Sequence, residues 1–289
     1  MQINTSINAK TKLYGLIGNS VEHSISPYLH NTLASIYGHN ISYTAFKVEE
    51  SDLKSVIDAA YKLKLQGFNI TVPYKEAIMK ELVHIDDLAK RIGSVNTIKW
   101  TEQGYFGYNT DALGILKSLE LNDIKIKDST VIIIGAGGAA KAIANSILMQ
   151  NPKKVYIANR TIDKATALIE NVGKYYDIPI KSVLLEDISD ITEMIDICIQ
   201  TTSVGMYPNV DNSVVSGCKL FSKCRNVIDI VYNPKKTKFL SDAENMGCKI
   251  INGLGMLVFQ GIMSYEIWHD IKVDNDIARD ILCDIERYV

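Results

Sequence analysis

Apolar runs and polar interruptions alternate along the chain with the two periods expected of strands and helices. Residues 12–17, KLYGLI, form a short apolar run closed by Gly18-Asn19 and read as a buried strand. A helix is predicted from about Pro27, with Ser26 as its N-cap and Pro27 in the first helical position, where a missing N–H costs nothing. ISYTAFKV then reads as a strand, DLKSVIDAAYKL as an amphipathic helix and GFNITV as another strand, an alternation that suits a mostly parallel sheet. Beyond Lys75 a helical stretch is predicted to about Arg91, followed by SVNTIKW and GYFGYN around Gly104 as a hairpin at the sheet edge.

A second block starts near residue 129, where TVIIIGAGGAAKAIANSILMQ reads as strand, glycine turn and helix. KKVYIANR, IKSVLL, IDICIQT, RNVIDIVY and CKIIN follow as apolar runs separated by helical or loop segments, the pattern of a doubly wound, Rossmann-type sheet. The tail from Gly255 to Val289 is helical by pattern, and its periodicity does not say which block it completes. The fold class is therefore α/β, an N-terminal mostly parallel domain followed by a C-terminal doubly wound one. The length of 289 residues agrees with two domains at roughly 150 residues each, and two domains imply a cleft.

Composition narrows the classes of function. With 47% apolar and 22% charged residues the chain can bury a core. Its 31 basic against 33 acidic residues provide no overall field for nucleic acid or an anionic membrane. The five cysteines, Cys198, Cys218, Cys224, Cys248 and Cys283, include no C-x-x-C pair and no histidine at a ligand interval, so no metal site is expected. No apolar run reaches the roughly 18 residues needed to span a bilayer. The N-terminal segment lacks the pattern of an export signal, which leads to the expectation of a cytoplasmic protein with reduced thiols.

Gly135-Ala136-Gly137-Gly138-Ala139-Ala140 has the G-x-G-x-x-A form between a strand and a helix, the context a dinucleotide fingerprint requires. The first glycine permits the turn, the second lets backbone approach a pyrophosphate, and Ala140 allows close packing of helix on strand. The next strand ends in Asn159-Arg160-Thr161, where an NAD-binding unit usually carries an acid. Arg160, supported by Lys164, would pair with a 2′-phosphate, so the expected cofactor is NADP.

Polar residues concentrate in the first block where strands should end: His23 to Pro27, Asn69 to Lys75, Ser94 to Thr97 and Tyr108 to Asp111. Ligands of open α/β sheets sit beyond the carboxyl ends of strands, so these stretches could converge on a site for a polyhydroxylated acid. His30, His39, His84 and His269 stand without evident partners and read as structural or solvated.

HSISP, GFNITVPYK, GSVNTI, GYNTD, GAGGAA, NRT, TTSVGM, VYNPKKT and NGLGMLVFQG occur in an order and at spacings by which the chain resembles the shikimate dehydrogenases, from about Leu13 to Gln260. The resemblance implies reversible, NADPH-dependent reduction of 3-dehydroshikimate to shikimate, on the route to chorismate and aromatic amino acids. It implies that Ser24 and Ser26 hold the substrate carboxylate, that Asn69, Thr71, Asn96 and Gln260 contact the ring, and that Lys75 and Asp111 form the catalytic pair. Gly135, Gly137, Gly138 and Ala139 match the phosphate loop, and Asn159, Arg160 and Thr161 match the adenosine-phosphate contacts. Thr202, Ser203 and Met206 correspond to the nicotinamide side, and Tyr232 and Gly253 to cleft-lining positions. The domains implied are 1–111 for substrate and catalysis, completed by 255–289, and 112–254 for NADP, in a monomer or homodimer. Gln200 and Gly261 depart from the family's commoner asparagine and alanine. Three alternatives stay open: a dual quinate/shikimate dehydrogenase, a folate-type methylene dehydrogenase, and a non-catalytic NADP-binding redox sensor.

Overall fold

The computed structural model describes residues 7–215 and 219–288; the first residues of the chain and Cys218 lie outside that range. One compact unit comprises the described residues within Met1–Gly114 and Val258–Ile285, and the other those within Ile115–Leu257 and Glu286–Val289.

The first part of the chain runs β1 (Lys12–Gly18), α1 (Ser26–Tyr37), β2 (Ile41–Lys47), α2 (Leu53–Lys62), β3 (Gly67–Ile70), β4 (His84–Ile85), α3 (Asp87–Ile92), β5 (Thr97–Thr101), β6 (Gly104–Tyr108) and α4 (Asp111–Leu121). The sheet has the order β2-β1-β3-β5-β6-β4. β1 pairs in parallel with β2 and β3, and β4 with β6, whereas β3–β5 and β5–β6 are antiparallel, so the sheet is mixed with most of its pairings parallel. The predicted hairpin forms, but it is not at the edge, because the two-residue strand β4 covers β6. The continuous helix predicted to Arg91 is broken into a 3₁₀ turn (Ala77–Glu81), β4 and α3, the last capped by the Asp86 carboxylate accepting from the Ala89 N–H at 2.9 Å. The N-cap prediction also needs correction: α1 begins at Ser26 itself, after Ile25, and Ser24 Oγ accepts the Ser26 N–H at 3.2 Å. Ser26 therefore spends its hydroxyl elsewhere than on capping.

The second unit runs β7 (Thr130–Ile134), α5 (Gly138–Leu148), β8 (Lys154–Asn159), α6 (Ile162–Val172), β9 (Ile180–Leu184), β10 (Ile195–Gln200), β11 (Cys224–Asp229), α7 (Lys238–Asn245) and β12 (Lys249–Ile251). Its sheet, ordered β12-β11-β10-β7-β8-β9, is parallel throughout and reverses its winding between β7 and β10. β7 shows why these strands read as unbroken apolar runs. Val131 and Ile133 enter a core with Ile143 and Ile147 of α5 and Leu168 of α6, while Ile132 and Ile134 enter the opposite core with Phe239 and Leu240 of α7. Both faces are covered, so neither set of alternating side chains can be polar.

The tail forms α8 (Leu254–His269) and α9 (Asn275–Tyr288). Most of α8 belongs to the first unit, where the Trp268 indole N–H donates to the Ile98 carbonyl at 2.9 Å. Gly67 makes that approach possible, since a Cβ there would lie 2.4 Å from Trp268 Nε1.

Candidate active site

The polar clusters of the first unit converge on one hydrogen-bonded group. Lys75 lies in the loop after β3. That loop is anchored by Tyr74, whose buried hydroxyl donates to the Val48 carbonyl at 2.5 Å, and by the Lys75 carbonyl, which accepts the Val95 N–H at 2.8 Å. Asp111 opens α4. The Asn109 side chain accepts the Ala112 N–H at 3.2 Å and so caps that helix, leaving the Asp111 carboxylate available. Lys75 Nζ donates to Asp111 Oδ2 at 2.7 Å, with the two side chains 29% and 14% exposed. An ion pair this sheltered feels less solvent screening than a surface pair, yet it stays accessible to a small ligand.

Asn96 donates from Nδ2 to Asp111 Oδ1 at 2.9 Å and to Gln260 Oε1 at 3.3 Å. The buried Asn69 is tied to the same group through Thr97 and Ser264. Every polar atom of the Asn69 and Asn96 side chains has a partner within this unit. Ser24 donates to Ser26 Oγ at 3.1 Å, and Ser26 lies near the buried Tyr43, whose hydroxyl donates to Asn69 Oδ1 at 2.8 Å. The serine pair thus borders the network that holds the amine–carboxylate pair. Thr71 stands just beyond β3, and no hydrogen bond joins its side chain to the network among the described residues.

Several members of this network are absent from the sequence expectations. His30, read above as lacking partners, is fully buried, stacks on Tyr43 at 4.3 Å and bonds Asn69 Oδ1 at 3.1 Å. Desolvation pushes its pKa down to about 3, so the ring is neutral. His39 also has a partner, the Tyr265 hydroxyl at 2.6 Å. Tyr43, Thr97, Thr110 and Ser264 complete the network. The one signal that could have located His30 and Ser264 is helical spacing, since each stands four residues after a predicted ligand, Ser26 and Gln260 respectively.

The residues expected to bind nucleotide lie in the second unit. Gly135 follows β7 with φ of +117°, and a Cβ there would meet Thr201 Oγ1 at 2.4 Å, so both conformation and space call for glycine. Gly137 and Gly138 face open space at the start of α5, where no side chain obstructs the helix's first amides, and Ala139 lies within its first turn. This is a fit for a diphosphate. Asn159 ends β8 and donates from Nδ2 to the Thr161 carbonyl at 2.8 Å, leaving Arg160, Thr161 and Lys164 exposed at the start of α6. No carboxylate pairs with Arg160 among the described residues, which suits a 2′-phosphate.

Thr202, Ser203 and Met206 occupy the loop after β10. Gln200 braces that loop from beneath, accepting the Thr202 N–H and donating to the Val204 carbonyl at 3.1 Å. Its amide also donates to Asp229 at 3.1 Å, a buried carboxyl whose pKa desolvation raises to about 6. Gly253 precedes α8 and donates to the Val231 carbonyl at 3.1 Å, and Tyr232, next to Val231 in sequence, is half-buried. Among the described residues no group of three His, Cys, Asp or Glu side chains could hold a metal, and no helix is long and apolar enough to cross a membrane.

Comparison with known proteins places this geometry in context. Residues 16–98 match the family model of the shikimate dehydrogenase substrate binding domain, and residues 117–242 match that of shikimate / quinate 5-dehydrogenase. The chain is 42% identical to the shikimate dehydrogenase (NADP(+)) of Methanococcus aeolicus, with 96% of this chain and 99% of that one covered. It is 43% identical to the same enzyme of Bacillus subtilis, with 94% and 96% covered. Among solved structures, shikimate 5-dehydrogenase of Thermus thermophilus in complex with NADP(H) and shikimate matches with a TM-score of 0.84 at 30% identity, covering 95% of this chain and 99% of that one.

Proposed function

The chain belongs to the shikimate dehydrogenase family, and on that premise we propose that it catalyses the reversible NADPH-dependent reduction of 3-dehydroshikimate to shikimate. The observation that carries the chemistry is the Lys75 Nζ to Asp111 Oδ2 contact of 2.7 Å, bounded by Asn96 and Gln260. Bound NADPH supplies the hydride to the C3 carbonyl carbon. As negative charge develops on the carbonyl oxygen, the Lys75 ammonium donates a proton to it, and Asp111 orients that ammonium and shares the hydroxyl hydrogen bonds of the product. The two groups act as a pair.

Ser24 and Ser26 present adjacent hydroxyls to the substrate carboxylate, and Asn69, Thr71, Asn96, Gln260 and Tyr232 contact the ring and its hydroxyls. Because the Asn96 amide is already fully partnered, a ring hydroxyl exchanges with one of its bonds; the 3.3 Å bond to Gln260 is the longest and the cheapest to replace. An analogue lacking that hydroxyl leaves buried polar groups unpaired, which is the source of discrimination. In the second unit, the backbone of Gly135, Gly137, Gly138 and Ala139 takes the diphosphate. Asn159, Arg160, Thr161 and Lys164 take the adenosine 2′-phosphate, and Thr202, Ser203, Met206 and Gly253 adjoin the nicotinamide.

The location proposed is the cytoplasm, as a monomer or homodimer serving the aromatic amino acid route. Initial rates with shikimate and quinate against NADP and NAD, followed by the absorbance of reduced nicotinamide, test the reading. Fastest turnover with shikimate and NADP supports it, equal turnover of quinate replaces it with the dual-specificity enzyme, and no turnover favours a non-catalytic NADP-binding protein.

A further inference from the structure

The hydroxyl of Ser264 is fully buried on α8 and meets four groups: Asn69 Nδ2 at 2.9 Å, Thr97 Oγ1 at 2.7 Å, Thr110 Oγ1 at 3.2 Å and the carbonyl of Gln260 at 2.9 Å. A hydroxyl has one proton and two lone pairs, so these contacts constrain one another. Backbone groups set the direction. The Thr110 N–H can only donate, and it lies 2.8 Å from Asn96 Oδ1; the Asn96 amide nitrogen must then face Asp111 Oδ1 and Gln260 Oε1. The Asn96 carbonyl can only accept, and it takes a bond from Asn69 Nδ2 at 3.3 Å, so Asn69 Oδ1 faces His30 and Tyr43. The Gln260 carbonyl likewise requires the Ser264 proton. Ser264 consequently accepts from Asn69 and, at the shortest distance in the group, from Thr97.

The consequence falls on Thr97. Its hydroxyl has a competing acceptor, Asn96 Oδ1 at 3.0 Å, which already receives the Thr110 N–H. While Ser264 holds the Thr97 proton, the Asn96 amide keeps one dominant constraint and stays aimed at Asp111. We propose that Ser264 is a positioning residue for the reaction: by holding the Thr97 proton, its hydroxyl keeps Thr97 from drawing Asn96 Oδ1 aside, so that the Asn96 amide, whose orientation the Thr110 N–H fixes, stays aligned on Asp111 and Gln260. The inference rests on the functional reading above. It adds a residue that touches neither the Lys75 amine nor the Asp111 carboxylate and acts only through others.

The test compares Ser264→Ala, Thr97→Val, Thr97→Ser and the Ser264→Ala/Thr97→Val double variant with the parent protein in steady-state shikimate oxidation. Rates are normalised to the folded fraction, and thermal unfolding is measured alongside. Ser264→Ala is expected to lower kcat about tenfold, as misalignment of catalytic groups does. The KM for shikimate should change by less than about threefold, and the KM for NADP should stay unchanged because its residues lie in the other unit. Thr97→Val should reproduce the loss and Thr97→Ser should restore activity, while the double variant should be no worse than the poorer single one, because both act on one chain of bonds. Parental kcat in folded Ser264→Ala, or equal impairment of Thr97→Ser and Thr97→Val, overturns the inference alone. Absence of shikimate-dependent NADPH formation in the parent protein overturns the functional reading and this inference with it. If Ser264→Ala does not fold, the Thr97 pair decides.

Discussion

Replacing His30 by glutamine should make the first unit markedly less sensitive to acid. The ring is fully buried against Tyr43 and Trp268, at 4.3 and 5.0 Å between centroids, with Nδ1 lacking a hydrogen-bond partner among the described residues. Burial pushes its pKa from 6.5 down to about 3. Between those values the unfolded chain binds a proton that the folded chain excludes, so stability is complete above the unfolded pKa and falls as the pH drops below it. At about pH 5 the linkage amounts to about 2 kcal/mol for this one residue. His269, lowered to about 4 chiefly by desolvation, and His39, lowered in the same way, act in the same direction and remain in the variant. Glutamine keeps an N–H for Asn69 Oδ1 but does not titrate. Both tryptophans of the chain, Trp100 and Trp268, belong to the first unit, so intrinsic fluorescence during urea unfolding reports on that unit. Between about pH 7 and pH 5 the parent should lose about 2 kcal/mol more than His30→Gln. Equal losses would refute a neutral, desolvated His30.

Three further outcomes are expected. Lys75→Ala should depress kcat by about 10²–10⁴-fold, the usual contribution of a general acid, with a small change in the shikimate KM; a variant with parental turnover removes Lys75 from the chemistry. Arg160→Ala should raise the KM for NADP by about tenfold to a hundredfold, the worth of a charged hydrogen bond, and leave turnover with NAD unaltered; equal effects on both cofactors would show that Arg160 does not read the 2′-phosphate. Gly135→Ala combines a φ of +117° with a Cβ 2.4 Å from Thr201 Oγ1, so calorimetry should find NADP binding lost or severely weakened, and retained affinity would show that the turn can relax.

The parts of the fold legible in the residues are those with a local cause. The doubly wound unit is read from apolar runs such as Thr130–Ile134, because a strand covered on both faces admits no polar alternation, and from Gly135, because its turn needs positive φ. The 77–92 stretch was not legible: a two-residue strand and a 3₁₀ turn are too short to carry a period, and they mimic a continuous helix. The antiparallel β3–β5 pairing is equally hidden, since parallel and antiparallel pairing can use the same residues. The start of α1 is not legible locally, because the Ser26 hydroxyl pairs with Ser24 and caps no backbone N–H.

The same division runs through the candidate site. Polar residues gathered at strand ends, and a glycine turn followed by arginine in place of an acid, are properties of short segments, and the sequence by itself determined which segments are proposed to carry the chemistry. The partners that orient them belong to the tertiary structure. Asn69 and Ser264 are 195 positions apart and Asn96 and Gln260 are 164 apart, yet each pair shares a hydrogen bond. No local pattern specifies such a bond. It forms because a buried donor or acceptor must find a partner among whatever the packed helices and strands bring within reach, and only the assembled core determines which group that is.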